Sequence, residues 1–132
     1  MPRESSTSHL APLSPIEPHF AGENGNLLGR MSIDKQFHGP LNATSTGEIL
    51  SVRTNTDGSA GYVAMEQVTG TLDDRQGSFV LHHFGVMSMR SNRLILEVVP
   101  DSGTGDLTGL TGAMSIDIRD GKHFYEFDYD LN

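Results

Sequence analysis

Apolar and polar side chains alternate with a period of two along most of this chain, and no segment repeats its apolar positions every 3.6 residues. That pattern is the signature of strands and speaks against helices. In residues 30–37, Met31, Ile33 and Phe37 fall on one side and Arg30, Ser32, Asp34 and Gln36 on the other. Residues 93–99 set Leu94, Leu96 and Val98 against Arg93 and Glu97, and residues 113–118 gather Met114, Ile116 and Ile118. The last segment, 122–131, opposes His123, Tyr125, Phe127, Tyr129 and Leu131 to Phe124, Glu126, Asp128 and Asp130.

Turn chemistry punctuates these segments. His38-Gly39-Pro40, Asn55-Thr56-Asp57-Gly58, Asp73-Asp74-Arg75-Gln76, Ser91-Asn92 and Asp120-Gly121 supply residues that tolerate positive φ or cannot continue a ladder. Residues 41–54 read as a strand whose polar middle, Thr44 to Gly47, predicts a kink or bulge. Residues 62–72 and 77–87 form a long hairpin that is apolar on both faces, so both faces need cover. The stretch 100–112 holds four glycines and reads as a sharp corner between strands.

Seven or eight strands at short spacing predict an all-β fold, a single antiparallel β-barrel of about eight strands, since closure removes aggregation-prone edges. Residues 1–15, rich in proline and serine, read as a flexible tail, and 16–132 as the barrel domain, opening with a short edge strand over 16–20.

Charge and composition narrow the partners. Seventeen acidic against nine basic residues give a net charge of −8, which repels nucleic-acid backbones and anionic membrane surfaces. No apolar run has the length of a membrane span, and the first residues lack the apolar core of a secretory signal, so the expected location is cytoplasmic. The chain has no cysteine, hence no disulfide or thiolate chemistry. His82, His83 and His123 lack a metal-ligand spacing, and no cofactor is implied.

The most suggestive polar pair is Glu66 and His83. With an even-numbered loop between the hairpin arms, of two or four residues, the two share a face with Tyr62, Ala64, Val68, Phe79 and Leu81; a three-residue loop would substitute His82. Such a face resembles the wall of an apolar pocket with a few convergent polar groups, in which a carboxylate-oriented imidazole serves as acid, base or hydrogen-bond donor. It also describes a buried, mutually satisfied pair with a structural role, or a pair on a wetted face. Tyr125, on the inward face of the last strand, is a further candidate for such a pocket.

Five segments carry a family resemblance: Glu66-Gln67-Val68-Thr69-Gly70-Thr71-Leu72, Gly77-Ser78-Phe79-Val80-Leu81-His82-His83, residues 98–107, Gly109-Leu110-Thr111-Gly112 and Tyr129-Asp130-Leu131. Over residues 28–132 the chain resembles the bacterial family known as domain of unknown function 3224. The chain departs from that pattern in having no tryptophan and in placing Asp101 where a corner glycine is usual. The resemblance implies a fold similar to the allene oxide cyclase barrel, whose relatives, dirigent proteins among them, are trimeric and handle small apolar substrates. Three functions therefore stand open. One is a module binding a small, largely apolar ligand through Glu66, His83, Tyr62 and Tyr125. The second is an isomerase or cyclase acting on a small hydrophobic substrate. The third is a homo-oligomeric structural protein joined through an outward face of Val63, Met65, Val80 and Phe84.

Overall fold

A computed structural model of the chain describes the backbone of residues 3–10 and 14–15, and residues 24–120 and 122–131 in full. The edge strand expected at 16–20, and Gly121 of the last turn, lie outside the described residues. The strands are β1 Arg3–Leu10, β2 Ser14–Pro15, β3 Leu27–His38, β4 Leu41–Arg53, β5 Ala60–Leu72, β6 Arg75–Met87, β7 Asn92–Val98, β8 Thr111–Arg119 and β9 Lys122–Asp130. From β3 to β9 each strand pairs antiparallel with the next in sequence.

Local chemistry sets this register. Asp73 and Asp74 both adopt left-handed backbone, with φ of 49° and 65°, so Leu72 pairs with Arg75 across a two-residue turn whose twist suits the flanking strands. The Asp73 N–H donates to the Pro40 carbonyl at 2.9 Å, tying this turn to the β3–β4 turn. A bulge, one of the two irregularities expected at 44–47, does not form. Pairing runs unbroken from Leu41 with Leu72 to Arg53 with Ala60, because the inward polar residue there, Ser45, has a buried partner.

The expected closed barrel of eight strands is also corrected. The seven long strands β3 to β9 form a curled half-barrel, in which β9 and β3 share no ladder with each other. The backbone of β1 lies along both edges, with Arg3 to Ser8 opposite β9 and Thr7 to Leu10 opposite β3. The stretch read as a tail thus contains paired backbone at Arg3–Leu10 and at Ser14–Pro15.

The concave side has three layers. At one end Phe37, Leu41, Leu72, Phe79, Phe127 and Tyr129 pack as a dry core, with the Phe79 and Phe127 rings stacked at 5.8 Å between centroids. The middle layer is polar, holding Lys35, Ser45, Glu66 and His83, all buried. The far end is an open cavity. On the convex side Leu50, Val63, Phe84 and Ile95 stand side by side across four strands, and the Arg93 guanidinium lies 5.3 Å from the Phe84 ring centre.

The glycine-rich stretch is a plug more than a bend. After β7 the chain continues along β6, where Val99 N–H donates to the Val80 carbonyl and Thr104 N–H to the Ser78 carbonyl, both at 2.9 Å. It then makes one 3-10 turn, Gly105–Leu107, and drives Leu107 and Leu110 into the dry core. A Cβ on Gly77 would stand 2.1 Å from the Thr104 carbonyl oxygen, so glycine is what lets the plug lie against β6.

Leu107→Ala is expected to lower unfolding free energy by about 2–5 kcal/mol, because the void sits in the packed end of the sheet. Ile49→Ala, at the cavity, should cost clearly less. Urea denaturation of both variants checks the difference.

Candidate functional site

The two-residue β5–β6 turn places Ala64 opposite His83 and Glu66 opposite Leu81, making Glu66 and His83 diagonal neighbours on the concave face. His82 consequently faces outward, in line with Met65 and Glu97. His82, His83 and His123 therefore do not converge, and no group of three metal-ligating side chains forms among the described residues.

Glu66 is fully buried, and every side of its carboxylate has a partner. Oε1 accepts from His83 Nε2 at 2.7 Å and from Lys35 Nζ at 3.4 Å. Oε2 accepts from the Ser45 hydroxyl at 2.5 Å and lies 3.3 Å from Lys35 Nζ. Burial alone would raise this carboxyl, but the His83 hydrogen bond, the Lys35 ammonium and the Ser45 hydroxyl outweigh it and bring it down to about 2.

An ionised carboxylate only accepts, so His83 carries its proton on Nε2. In the neutral ring Nδ1 is then the acceptor, and the Tyr62 hydroxyl stands 3.3 Å from it. Burial, then the proximity of Tyr125 and Glu66, pushes the Tyr62 phenol up to about 12, which keeps it a hydrogen-bond donor at neutral pH. Tyr62 lies directly over Gly85, its cross-strand partner. A Cβ there would come within 2.4 Å of the ring, so only glycine leaves room for this approach.

A second arm runs through Lys35. Its ammonium donates to the Tyr125 hydroxyl at 3.1 Å and lies 5.1 Å and 5.3 Å from the ring centres of Tyr125 and Phe37. Lys35 and Ser45 are cross-strand partners on β3 and β4, which brings the serine to the same carboxylate.

Both arms end at the cavity, which has a volume of about 370 Å³. Met31, Ile33, Ile49 and Ile116 supply apolar wall, and Tyr62, His83, Tyr125 and Lys35, together with Ser51, Arg53 and His123, supply its polar part. Glu66 is not part of the lining. Of the four residues singled out from sequence, three reach the cavity and Glu66 lies behind them, holding His83 and Lys35. Sequence reasoning missed Lys35 and Ser45. The signal was present for Lys35, a cation at an inward position between Ile33 and Phe37, whereas a serine in a polar run gives none.

The lowered carboxyl makes stability depend on pH in a defined direction. Because Glu66 binds its proton less readily folded than unfolded, its contribution is complete above an ordinary carboxyl value near 4.5 and is lost as pH falls toward about 2. The loss amounts to roughly 3 kcal/mol. Glu66→Gln should remove that slope and itself destabilise by about 3–5 kcal/mol, since Lys35 then stays buried without a counter-charge. Lys35→Met combined with Glu66→Gln should recover much of the loss. Denaturant melts between pH 2 and 6 check all three proteins.

Comparison with known proteins adds family membership. The family described as "Protein of unknown function (DUF3224)" matches residues 12–129. A solved structure of a DUF3224 protein of unknown function from Shewanella oneidensis MR-1 is 52% identical, with a TM-score of 0.95, covering 100% of this chain and 98% of that one. No curated protein matches the chain. With a family match across most of its length and a relative this similar from end to end, the chain belongs to the DUF3224 family.

Proposed function

We propose that the protein binds a small, largely apolar molecule in the concave cavity. One observation carries this reading: a cavity of about 370 Å³ with apolar walls receives the hydroxyls of two tyrosines anchored by one buried charge cluster. That volume suits a ligand of one or two rings. N-phenyl-1-naphthylamine, a neutral dye that brightens in apolar surroundings, should gain fluorescence with the wild-type protein. Ile49→Trp, which fills the wall, should abolish the gain while the protein still melts cooperatively. No gain in the wild type, or an equal gain in Ile49→Trp, refutes the proposal.

A second reading, proton-transfer catalysis of the isomerase type, is favoured by the orientation of His83. Glu66 claims Nε2 and leaves Nδ1, the basic nitrogen, facing the Tyr62 hydroxyl at the cavity wall. A base placed in an apolar pocket should speed the ring opening of 5-nitrobenzisoxazole, in which loss of a C–H proton breaks the N–O bond and releases a coloured phenolate. His83→Gln should return the rate to background without loss of folding. A wild-type rate equal to that of buffer, or an undiminished rate in His83→Gln, counts against catalysis.

A further inference from the structure

Tyr125 is buried, with the residue retaining only 2% of its exposure, and it lines the cavity. Among the described residues its hydrogen bond is the one it accepts from Lys35, an ammonium that can only donate. Among the described residues the phenol proton is therefore uncommitted. A donor buried without an acceptor is costly, and an ammonium behind the oxygen polarises the O–H and makes it a stronger donor.

The charge balance around it restricts what the acceptor can be. Arg53 also lines the cavity, but it is exposed at the end of β4, beyond Ser45, whereas the Lys35 ammonium already faces the Glu66 carboxylate at 3.3 Å, so a ligand carboxylate placed at Tyr125 would enter as a second buried anion beside Glu66. An apolar group would leave the Tyr125 proton without a partner. The other hydroxyl, Tyr62, is turned to His83 Nδ1. The open requirement is thus for one uncharged oxygen that accepts, on a body that matches the apolar walls of Met31, Ile33, Ile49 and Ile116.

We infer that the cavity selects a neutral carbonyl compound, a ketone or aldehyde on an apolar frame, whose oxygen accepts from the Tyr125 hydroxyl with the Lys35 ammonium behind it. This assignment rests on the ligand-binding reading above and adds the chemical class. It makes Tyr125 a residue that contacts the ligand and Lys35 a positioning residue acting through Tyr125.

Three probes of nearly equal shape test it by displacement of N-phenyl-1-naphthylamine: acetophenone, its methylene analogue α-methylstyrene, and benzoate. Acetophenone should bind about tenfold or more tightly than α-methylstyrene, as expected for one hydrogen bond from a charge-assisted donor, and more tightly than benzoate at pH 7. Tyr125→Phe should erase the preference over α-methylstyrene, weakening acetophenone and relieving the cost that α-methylstyrene incurs by stranding the phenol proton. The infrared carbonyl stretch of bound acetophenone should lie below its value in cyclohexane and return toward that value in Lys35→Met, which removes the polarising cation. Should Tyr125→Phe not fold, the wild-type stretch decides, and a value equal to that in cyclohexane overturns the inference. Equal binding of acetophenone and α-methylstyrene also overturns it and leaves apolar ligand binding intact. Benzoate binding as tight as acetophenone overturns the neutral-oxygen requirement. Failure of all three probes and of the dye to bind refutes the ligand-binding reading itself.

Discussion

A carboxylate removed from water in the middle of a curved sheet is the constraint on which the other features depend. Burying Glu66 is favourable only if its charge is matched and its lone pairs are filled, and that requirement is met from three other strands at once. Lys35 comes from β3, Ser45 from β4, Glu66 from β5 and His83 from β6. A slip of one residue in any of these ladders would turn one member outward and leave the others unmatched. Most of the free energy of folding must still come from the apolar layers, since a buried ion pair adds little net stability. What the cluster contributes is a penalty on every wrong register.

The same cluster divides the concave side into two unlike halves. On one side of it Phe37, Phe79 and Phe127 fill the space, and Leu107 and Leu110 of the glycine-rich plug fill the rest. On the other side the inward positions of β4, β5 and β6 include Ser51, Ala60 and Gly85, too little volume to fill the space across the curve. Packing density therefore drops where side chains shrink, and the cavity is the result. Gly85 contributes twice, by leaving space and by letting the Tyr62 ring lie close enough for its hydroxyl to reach His83.

Much of this was legible in the residues. Period-two alternation assigned the inward faces of β3, β7, β8 and β9, because one face of each is core and a pleat admits two faces only. The Glu66 and His83 pairing followed from a single quantity, the parity of the β5–β6 loop, and Asp73-Asp74 settles it at two residues. Other features were out of reach for physical reasons. Polar residues at 44–47 look like a defect until the partner of Ser45 is known, and that partner is 21 residues away. Closure depends on whether the two outer strands meet, a matter of accumulated twist that local pattern does not encode. The plug illustrates the same limit, since glycines show that backbones come close without showing which ones do.

The network also bears on whether the buried pair is purely structural. A pair retained only for register needs nothing beyond mutual satisfaction, and Glu66 with Lys35, Ser45 and His83 already achieves it. Here the hydrogen bonds continue past that point, from His83 to Tyr62 and from Lys35 to Tyr125, and both extensions run to the wall of the same cavity. Phenylalanine would serve at either position if only volume were required, and it would spare the cost of burying a hydroxyl. Two phenols kept at an apolar cavity, each oriented by the same carboxylate through a different intermediary, support the proposal of a site for a ligand with a polar end. A pair kept for register alone has no need of the second residue on either arm.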